Sequence, residues 1–298
     1  MKLSVITPSY NQAAYLAATL DSVHSQNYPD LEHWVIDGGS TDGSVAILED
    51  YQQRGLIRYI SEPDKGQSDA LNKGLARCTG DVICWLNSDD VYAAGTLEFV
   101  ANFFKENPAE SLLTGDCAYM DQAGGFISQE SGAGANRESI IRAQCVVYQP
   151  STFFRRSLIE SAGGVDTTMH YAMDYDLWLR LTRFARFSYA PINFSFIRSH
   201  SECKSMRSLN HDHETWLPEV LRSTRQHWGP RWHPMHWVRR FWISCHCAKV
   251  FYGAALVARQ EKQRLKFLKY LLKSLRHAPW KLLYWRELGA SFRWNWTS

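Results

Sequence analysis

Two neighbouring carboxylates, Asp89 and Asp90, follow the apolar run 82–86 after only Asn87 and Ser88. Adjacent carboxylates repel each other, and their burial is costly unless a cation or hydrogen-bond donors compensate the charge. Carboxylate oxygens on a loop suit Mg²⁺ or Mn²⁺, which proteins bind through one or two carboxylates together with substrate phosphates. The pair therefore predicts a site for a divalent cation and a diphosphate, while a solvated turn is the simpler alternative.

Asp37 ends an earlier apolar run and is followed by the glycine-rich segment "GGSTDG". One interpretation is a turn in which Ser40 or Asp42 caps the next helix. The other is a nucleotide contact in which Asp37 accepts hydrogen bonds from a base or a ribose. A dinucleotide-binding fold would need GxGxxG after the first strand, and "TPSYNQAAY" stands there instead.

Strand-like and helix-like segments alternate four times over about the first 110 residues, which predicts an α/β fold with a mainly parallel sheet. The carboxyl ends of parallel strands meet at one edge of such a sheet. The polar segments that follow the four predicted strands should therefore converge; they are 7–10, 37–40, 62–65 and 87–90.

The remaining chain is less regular. Gly124 and Gly125 predict a hairpin turn, and "MDYDLWLRLTRFA" has the apolar spacing of a helix. Residues 190–210 are predicted to form a polar loop, and the sequence becomes basic and helical from about residue 231.

Composition narrows the class of protein. The chain has 298 residues, of which 45% are hydrophobic, and its seven cysteines are scattered without a CxxC pair. This usage favours reduced thiols in a cytosolic protein. "NHDHETW" and "CHC" lack the second half-site of a zinc centre. We expect neither a signal peptide nor a membrane span, since the start is strand-like and no run reaches 18 apolar residues.

The C-terminal quarter is basic and rich in tryptophan. Residues 231–298 contain 14 Lys or Arg and two acidic residues, and nine of the twelve tryptophans follow residue 215. Two interpretations are open: a helical tail that packs on the rest of the protein, or an interfacial segment bound to anionic lipid. Nucleic acid is the least favoured partner because no nucleic-acid-binding module accompanies these residues.

Three segments together resemble the family 2 glycosyltransferases, an inverting family with the GT-A fold. They are "SVITPSYNQAAYLAATLDSVHSQNYPDLEHWVIDGGSTDGS", "EPDKGQSDALNKGLARCTGDVICWLNSDD" and "YAMDYDLWLRL". The resemblance covers roughly residues 1–205 in order. It implies a GT-A catalytic domain at 1–210, with a nucleotide-binding half at 1–110 and an acceptor half at 111–210. A helical, basic and Trp-rich extension would follow at 211–298.

The resemblance also implies a nucleotide site. The first-strand segment of the family lies against the nucleoside, and a carboxylate at the position of Asp37 reads the uracil or the ribose. Gly38 stands where the family often has a second Asp. The implied nucleotide-binding residues are Thr7, Pro8, Tyr10, Asp37, Lys65, Asp69, Asn72 and Asp89.

The implied metal site lies on the family's DxD-type motif. Asn87 occupies the place of the first carboxylate, so Asp89 becomes the principal ligand of Mn²⁺ or Mg²⁺ and Asp90 a neighbour that contacts metal or sugar. A later segment, "IRSHSECKS", resembles a loop that closes over the diphosphate. It would bring His200 to the metal and Lys204 to a phosphate.

The implied catalytic base is Asp174, with Asp176 as the second candidate, although the residues alone favour Asp174 as a helix N-cap. The base would remove a proton from an acceptor hydroxyl as that oxygen attacks the anomeric carbon, in a single displacement that inverts the configuration. Gln149 and Trp178 are expected on the acceptor or sugar side, with Trp178 also packing its helix.

The resemblance implies transfer of a hexose from a nucleoside-diphosphate sugar, UDP-linked by preference, to a hydroxyl of a glycan or lipid-linked saccharide. The setting would be bacterial surface polysaccharide synthesis, in the cytoplasm or at the inner face of the membrane. Two alternatives stay open: a sugar nucleotidyltransferase, and a non-catalytic module that binds a membrane surface. The first would need a glycine-rich phosphate loop after strand one, which "TPSYNQAAY" does not supply.

Overall fold

The computed structural model describes residues 1–142, 146–200, 203 and 213–291. The chain divides into two compact units. One comprises Met1–Ile140 and Cys145–His200, and the other comprises Ile141–Gln144 and Ser201–Ser298.

The first half of the larger unit has the predicted alternation of strands and helices. Strand β1 spans Leu3–Ser9, β2 Leu31–Asp37, β3 Arg58–Ser61 and β4 Val82–Trp85; helix α1 spans Ala13–His24, α2 Ser44–Gln53 and α3 Gln67–Leu75. Strand β1 lies between β2 and β4, β2 also pairs with β3, and all of these pairings are parallel. The residues of β1 and β4 are all buried, as expected for strands covered on both faces.

The second half adds strands of mixed direction. Its elements are β5 (Val91–Tyr92), α4 (Thr96–Glu106), β6 (Leu112–Met120), β7 (Phe126–Glu130), α5 (Arg137–Ile141), a 3₁₀ turn (Gln149–Ser151), β8 (Thr152–Arg155), α6 (Arg156–Ala162), α7 (Met173–Leu181) and β9 (Ser188–Arg198). The sheet has nine strands in the order β3-β2-β1-β4-β8-β6-β9-β5, with β7 paired to β6. Strand β6 is parallel to β9, whereas β8 is antiparallel to both β4 and β6. The fold is therefore the expected α/β type, with the parallel pairing concentrated in the first half.

The prediction of a polar loop over 190–210 is wrong for residues 190–198, because β9 continues to Arg198. The pairing of β9 with β6 passes from Ala190 opposite Gly115 to Asn193 opposite Asp116, so two residues, Pro191 among them, are left out of the register. Such a bulge interrupts the alternation by which a strand is recognised in sequence.

Close packing fixes this long strand. Phe194 is fully buried and meets the ring of Phe153 edge to face at 5.2 Å. A Cβ atom at Gly115 would lie 2.4 Å from the Phe194 ring, so only glycine fits opposite it.

The smaller unit is helical over the described residues, with α8 at His213–Arg225, α9 at Pro234–Gln260, α10 at Arg264–His277 and α11 at Leu282–Ser291. Small residues of α9 pack on large residues of α10; the fully buried members of this core include Ala248, Ala255, Phe267 and Leu271. Helix α9 is long and apolar enough to cross a membrane by length and composition, and 39% of its most apolar window is buried. The sequence predicted no such segment.

Candidate active site

The carboxyl ends of the parallel strands form one polar edge, as predicted. Ser9 is in register with Asp37, and Asp37 is in register with Ser61 on the next strand. The segment from Asn87 to Asp90 follows β4, which lies on the other side of β1. The sheet thus brings chemistry-bearing residues from four separate segments to one edge.

Asp37 is fully buried, and its hydrogen bonds are made within the polar edge, mostly to the turn that follows it. Its carboxylate accepts hydrogen bonds from the backbone N–H groups of Gly39 (3.1 Å) and Ser40 (2.9 Å) and from the hydroxyls of Ser40 (2.5 Å) and Ser61 (2.7 Å). These bonds fix the turn after β2. The N-cap of α2 is Gly43, without a side-chain cap, so the turn is as the sequence predicted but the cap by Ser40 or Asp42 is not. Nucleotide recognition by Asp37 stays a prediction.

Tyr10 and Asp64 flank Gly38 at this edge. The side chain of Tyr10 is 60% exposed. A Cβ atom at Gly38 would lie 2.9 Å from Asp64 Oδ2 and 3.2 Å from Tyr10 Cδ2. Asp64 is oriented by the N–H of Gly66, which donates to its Oδ1 at 2.8 Å. The space that a second acid would fill at position 38 is therefore occupied by a carboxylate from the segment after β3, which the sequence marked only as a polar strand end.

Asp89 and His200 form a pair of potential metal ligands. Asp89 Oδ2 lies 3.2 Å from His200 Nε2, and the two side chains are 18% and 2% exposed. The His200 ring rests against Tyr15, with the ring centres 4.7 Å apart. A carboxylate oxygen and an imidazole nitrogen, with diphosphate oxygens as further ligands, fit Mn²⁺. The chemistry of these donors therefore suits the cation that the family resemblance implies.

Asp90, in contrast, lies beneath the loop. It is 4% exposed and accepts hydrogen bonds from the backbone N–H of Arg198 at 3.0 Å and from Asn87 Nδ2 at 3.4 Å. Its own carbonyl accepts a bond from the Thr19 hydroxyl at 2.8 Å. Burial and the neighbouring charge of Asp89 raise the pKa of Asp90 well above its usual range. Asp90 is therefore buried and bonded within the protein, whereas the resemblance placed it in contact with metal or sugar.

Asn87 is the centre of a hydrogen-bond network. Its Oδ1 accepts from Trp85 Nε1 (2.9 Å) and Gln67 Nε2 (2.8 Å), and its Nδ2 donates to Gln149 Oε1 (2.9 Å) as well as to Asp90. Gln149 is itself buried and donates to the Trp85 carbonyl at 2.5 Å. Both amides therefore support the loop, whereas the sequence placed Gln149 beside the acceptor.

Arg198 bonds the backbone of Asp89 and lies over Tyr15, the ring against which His200 rests, and the sequence analysis did not single it out. Its Nε donates to the Asp89 carbonyl at 3.0 Å and its Nη1 to the Gln122 carbonyl at 3.0 Å. The guanidinium lies over the Tyr15 ring, 5.1 Å from its centre.

The two acids of α7 differ in their surroundings. Asp174 is half-buried in the first turn, where its Oδ1 accepts from the N–H of Tyr175 at 2.7 Å. Asp176 is 4% exposed and forms an ion pair with Arg180 at 2.7 Å. Arg180 in turn donates to the carbonyls of Ala162 and Gly164. Asp176 thus forms an ion pair that braces the helix, and the role of either acid as the base stays a prediction.

The start of α7 is held beside the start of α3. The Ser68 hydroxyl donates to the Met169 carbonyl at 2.8 Å and contacts Met173 Sδ at 3.3 Å. The preceding residue, Gln67, donates to Asn87. The turn that carries Asp174 is therefore connected through two adjacent residues of α3 to the loop that carries Asp89.

Other predicted site residues have mainly structural contacts. The amide of Asn72 pairs with the backbone of Val165 in both directions, at 2.8 and 2.9 Å. The Thr7 hydroxyl lies 3.0 Å from His33 Nε2 in the interior, and Pro8 is buried in β1. Trp178 is 2% exposed and packs on Phe154, so it packs its helix as expected but presents no surface to a sugar.

Near α3, Asp69 accepts a bond from the N–H of Lys65 at 3.2 Å and lies 3.5 Å from Lys73 Nζ. The side chain of Lys65 is exposed at the polar edge. Lys204, assigned to a phosphate, lies outside the described residues.

Comparison with known proteins gives one family. The model described as Glycosyl transferase family 2 matches residues 4–161, more than half of the chain. Chondroitin synthase of Escherichia coli is 28% identical over 194 residues, which are 63% of this chain and 27% of that protein. The alignments with the first curated relatives span 36%, 54% and 36% of the relatives' own lengths.

Two solved structures share the fold. S. aureus TarS in complex with UDP-GlcNAc has a TM-score of 0.67 at 19% identity, covering 94% of this chain and 82% of TarS. A mannosyltransferase from Pyrobaculum calidifontis, in complex with GDP-Man and Mn²⁺, has a TM-score of 0.57 at 18% identity, covering 94% and 87%.

Proposed function

The chain belongs to glycosyl transferase family 2, and from this premise we propose that it transfers a hexose from a nucleoside-diphosphate sugar to an acceptor hydroxyl with inversion. The observation that carries the proposal is the 3.2 Å approach of Asp89 and His200 at the carboxyl edge of the sheet. This approach supports the proposal because two groups able to ligate a metal, from segments 111 residues apart, meet where open α/β sheets bind their ligands.

The donor is proposed to lie along this edge, with its nucleoside near Tyr10, Asp37 and Asp64. UDP is the favoured nucleotide because TarS, which shares the fold, has been solved with UDP-GlcNAc. Asp89 and His200 would hold Mn²⁺ or Mg²⁺. When bound, such an ion neutralises the charge that develops on the leaving diphosphate. Lys65 is proposed to add positive charge near the phosphates.

Asp174 is proposed as the general base. Its carboxylate would accept the proton of the acceptor hydroxyl as that oxygen attacks the anomeric carbon. The hydrogen bond from Tyr175 orients the carboxylate, and its partial burial limits competing water. Because one displacement breaks the glycosyl–phosphate bond and forms the new glycosidic bond, the anomeric configuration inverts.

The acceptor is proposed to be a growing bacterial surface glycan or its lipid-linked precursor, reached from the cytoplasmic side of the membrane. The relationship to chondroitin synthase, which is named for a polysaccharide product, supports a glycan acceptor.

Calorimetric titration with UDP, GDP and dTDP, each with and without Mn²⁺, tests the donor and metal assignments. We expect one nucleotide to bind at least tenfold more tightly with Mn²⁺, and Asp89→Ala to abolish that gain. His170→Ala, an exposed histidine outside the proposed ligand pair, serves as the control. If the nucleotide binds equally well without Mn²⁺, Asp89 and His200 do not hold a metal ion that binds the donor. If no nucleotide binds, sugar transfer itself is in question.

A further inference from the structure

We propose that the helical unit carries a docking surface for an anionic lipid bilayer, formed by an aromatic cluster from α9, α11 and the segment between α10 and α11. This tryptophan surface consists of Trp237, Phe241, Trp280 and Trp285. The inference goes beyond the transfer reaction, because it concerns where the protein resides and not what its catalytic unit does.

The cluster is contiguous and exposed. Trp237 and Phe241 are four residues apart on α9, so they share one face of the helix. Phe241 stacks on Trp280 with the ring centres 5.4 Å apart, which joins α9 to the segment after α10. These three side chains are 50%, 49% and 52% exposed, and Trp285 is 51% exposed. Large aromatic side chains are rarely left exposed together on a protein without a partner.

The polar ends of two of these rings are satisfied within the protein. Trp237 Nε1 donates to the Arg231 carbonyl at 3.0 Å, and Trp285 Nε1 donates to the Pro279 carbonyl at 2.8 Å. The indoles therefore need no hydrogen bond from a protein partner, and what they present outward is largely apolar ring. An amphipathic ring held in this way suits the boundary between lipid headgroups and acyl chains.

The charge around the cluster identifies the occupant as an anionic surface. The Arg240 guanidinium lies over the Trp237 ring, 5.4 Å from its centre, and Arg240 and Arg286 are both exposed. Only two acids, Glu261 and Glu287, occur in the described chain from residue 231 to 291. Glu287 is paired with Arg259 at 3.4 Å, near the opposite end of α9. Arg240 beside Trp237, in a segment with this excess of basic residues, complements anionic lipid.

The leucines of α10 belong to two different environments. Leu271 and Leu275 are buried against α9, so they form part of the internal core. Leu265 and Leu272 are 83% and 54% exposed. The internal packing of the unit therefore uses only part of its apolar surface, and the tail-packing and lipid-binding interpretations of the sequence describe different faces of the same helices.

Cosedimentation of the full chain with phosphatidylcholine vesicles containing 0, 20 or 40% phosphatidylglycerol tests the proposal. We expect binding that rises with the anionic fraction and falls with salt. Arg240→Gln and Arg286→Gln should each weaken binding about fivefold, the amount associated with one cation near a charged bilayer. The triple variant Trp237→Ser, Phe241→Ser and Trp280→Ser should lose about tenfold or more, since binding follows buried apolar area.

Phe126→Ser and Phe184→Ser, which replace exposed aromatics of the catalytic unit, are the matched controls and should bind vesicles like the parent. Circular dichroism and nucleotide titration of every variant separate loss of docking from loss of fold or of sugar-nucleotide binding. Equal binding by the parent and the triple variant would overturn the proposal. Resistance of vesicle-bound protein to carbonate extraction would overturn it as well, because α9 would then span the bilayer and not lie on it.

Discussion

Asn87 donates its side-chain amide to the buried carboxyl of Asp90 across 3.4 Å. The position where the DxD-type motif has its first carboxylate thus carries a hydrogen-bond donor and no charge. This difference has a physical reason: Asp90 already has the charge of Asp89 beside it, and burial raises its pKa further. A third acid at this point would add repulsion where the protein has little solvent to screen it.

Asn87→Asp should therefore destabilise the protein. The substitution removes the donations to Gln149 and Asp90 and sets a second carboxylate against the latter. We expect a loss of about 2 kcal/mol in the free energy of unfolding at pH 7, within the range for buried polar groups that lose their partners. The loss should be smaller at pH 5, because one proton shared between the two carboxylates relieves the repulsion. Urea unfolding at both pH values measures this.

Gln129→Glu, which makes the same change from amide to acid at an exposed position of β7, is the matched control and should change the free energy of unfolding by less than about 0.5 kcal/mol. If Asn87→Asp is as stable as the parent at pH 7, the network around Asn87 does not brace the loop.

Asp174→Asn should mainly reduce activity, whereas Asp176→Asn should mainly reduce stability. Asp174→Asn removes the proposed base but keeps the shape of the side chain, so kcat should fall at least about a hundredfold with little change in donor affinity. Asp176→Asn leaves the partly buried Arg180 without its carboxylate, so the free energy of unfolding should fall by about 3 kcal/mol.

Single-turnover transfer kinetics and thermal unfolding of the same preparations separate the two roles. Full transfer activity in Asp174→Asn would exclude it as the base. A stable but inactive Asp176→Asn would assign the base to Asp176.

The sequence predicted the first half of the fold well because those strands are short, apolar and bounded by glycine or helix signals, as around Asp37 and Gly38. It failed for β9, where Pro191 and a shift in register hide the alternation. The sequence correctly predicted that the polar segments meet at one edge of the sheet, since the carboxyl ends of parallel strands lie together.

It predicted individual contacts less well. Whether a side chain such as Asn72 meets a ligand or the backbone of Val165 depends on packing between segments about 90 residues apart. Arg198 was overlooked for the same reason: its contacts with Asp89 and Tyr15 come from the tertiary fold, and its sequence neighbourhood resembles an ordinary polar loop.

Asp64→Ala should weaken nucleotide binding, because its carboxylate occupies the space above Gly38 beside Tyr10. A carboxylate there can accept a hydrogen bond from a base or a ribose. We expect about a tenfold loss of affinity for the preferred nucleotide, the size of one hydrogen bond to a charged group. The double variant Asp64→Ala, Gly38→Asp should recover part of the loss, since the new carboxylate would enter the vacated space. Calorimetry with UDP and GDP measures both effects, and unchanged affinity in Asp64→Ala would exclude this residue from the donor site.

His33 should make the fold sensitive to mild acid. It is 3% exposed, its Nε2 lies 3.0 Å from the Thr7 hydroxyl, and its Nδ1 lies 3.1 Å from His24 Nε2. Burial, and then the nearby His24, lower the pKa of His33 well below 6.5, so it is neutral in the folded protein. The unfolded chain takes up the proton below pH 6.5 and the folded chain does not. The stabilising effect of keeping His33 neutral is therefore complete above pH 6.5 and is lost progressively as the pH falls below it.

Urea unfolding between pH 8 and pH 5 should show this loss as a difference in slope, equivalent to about one proton, between the parent and His33→Gln. His33→Gln should flatten the profile below pH 6.5, although its stability at pH 8 will be lower because the packing changes. Equal slopes in the parent and in His33→Gln would mean that His33 takes up a proton without disturbing β1 and β2.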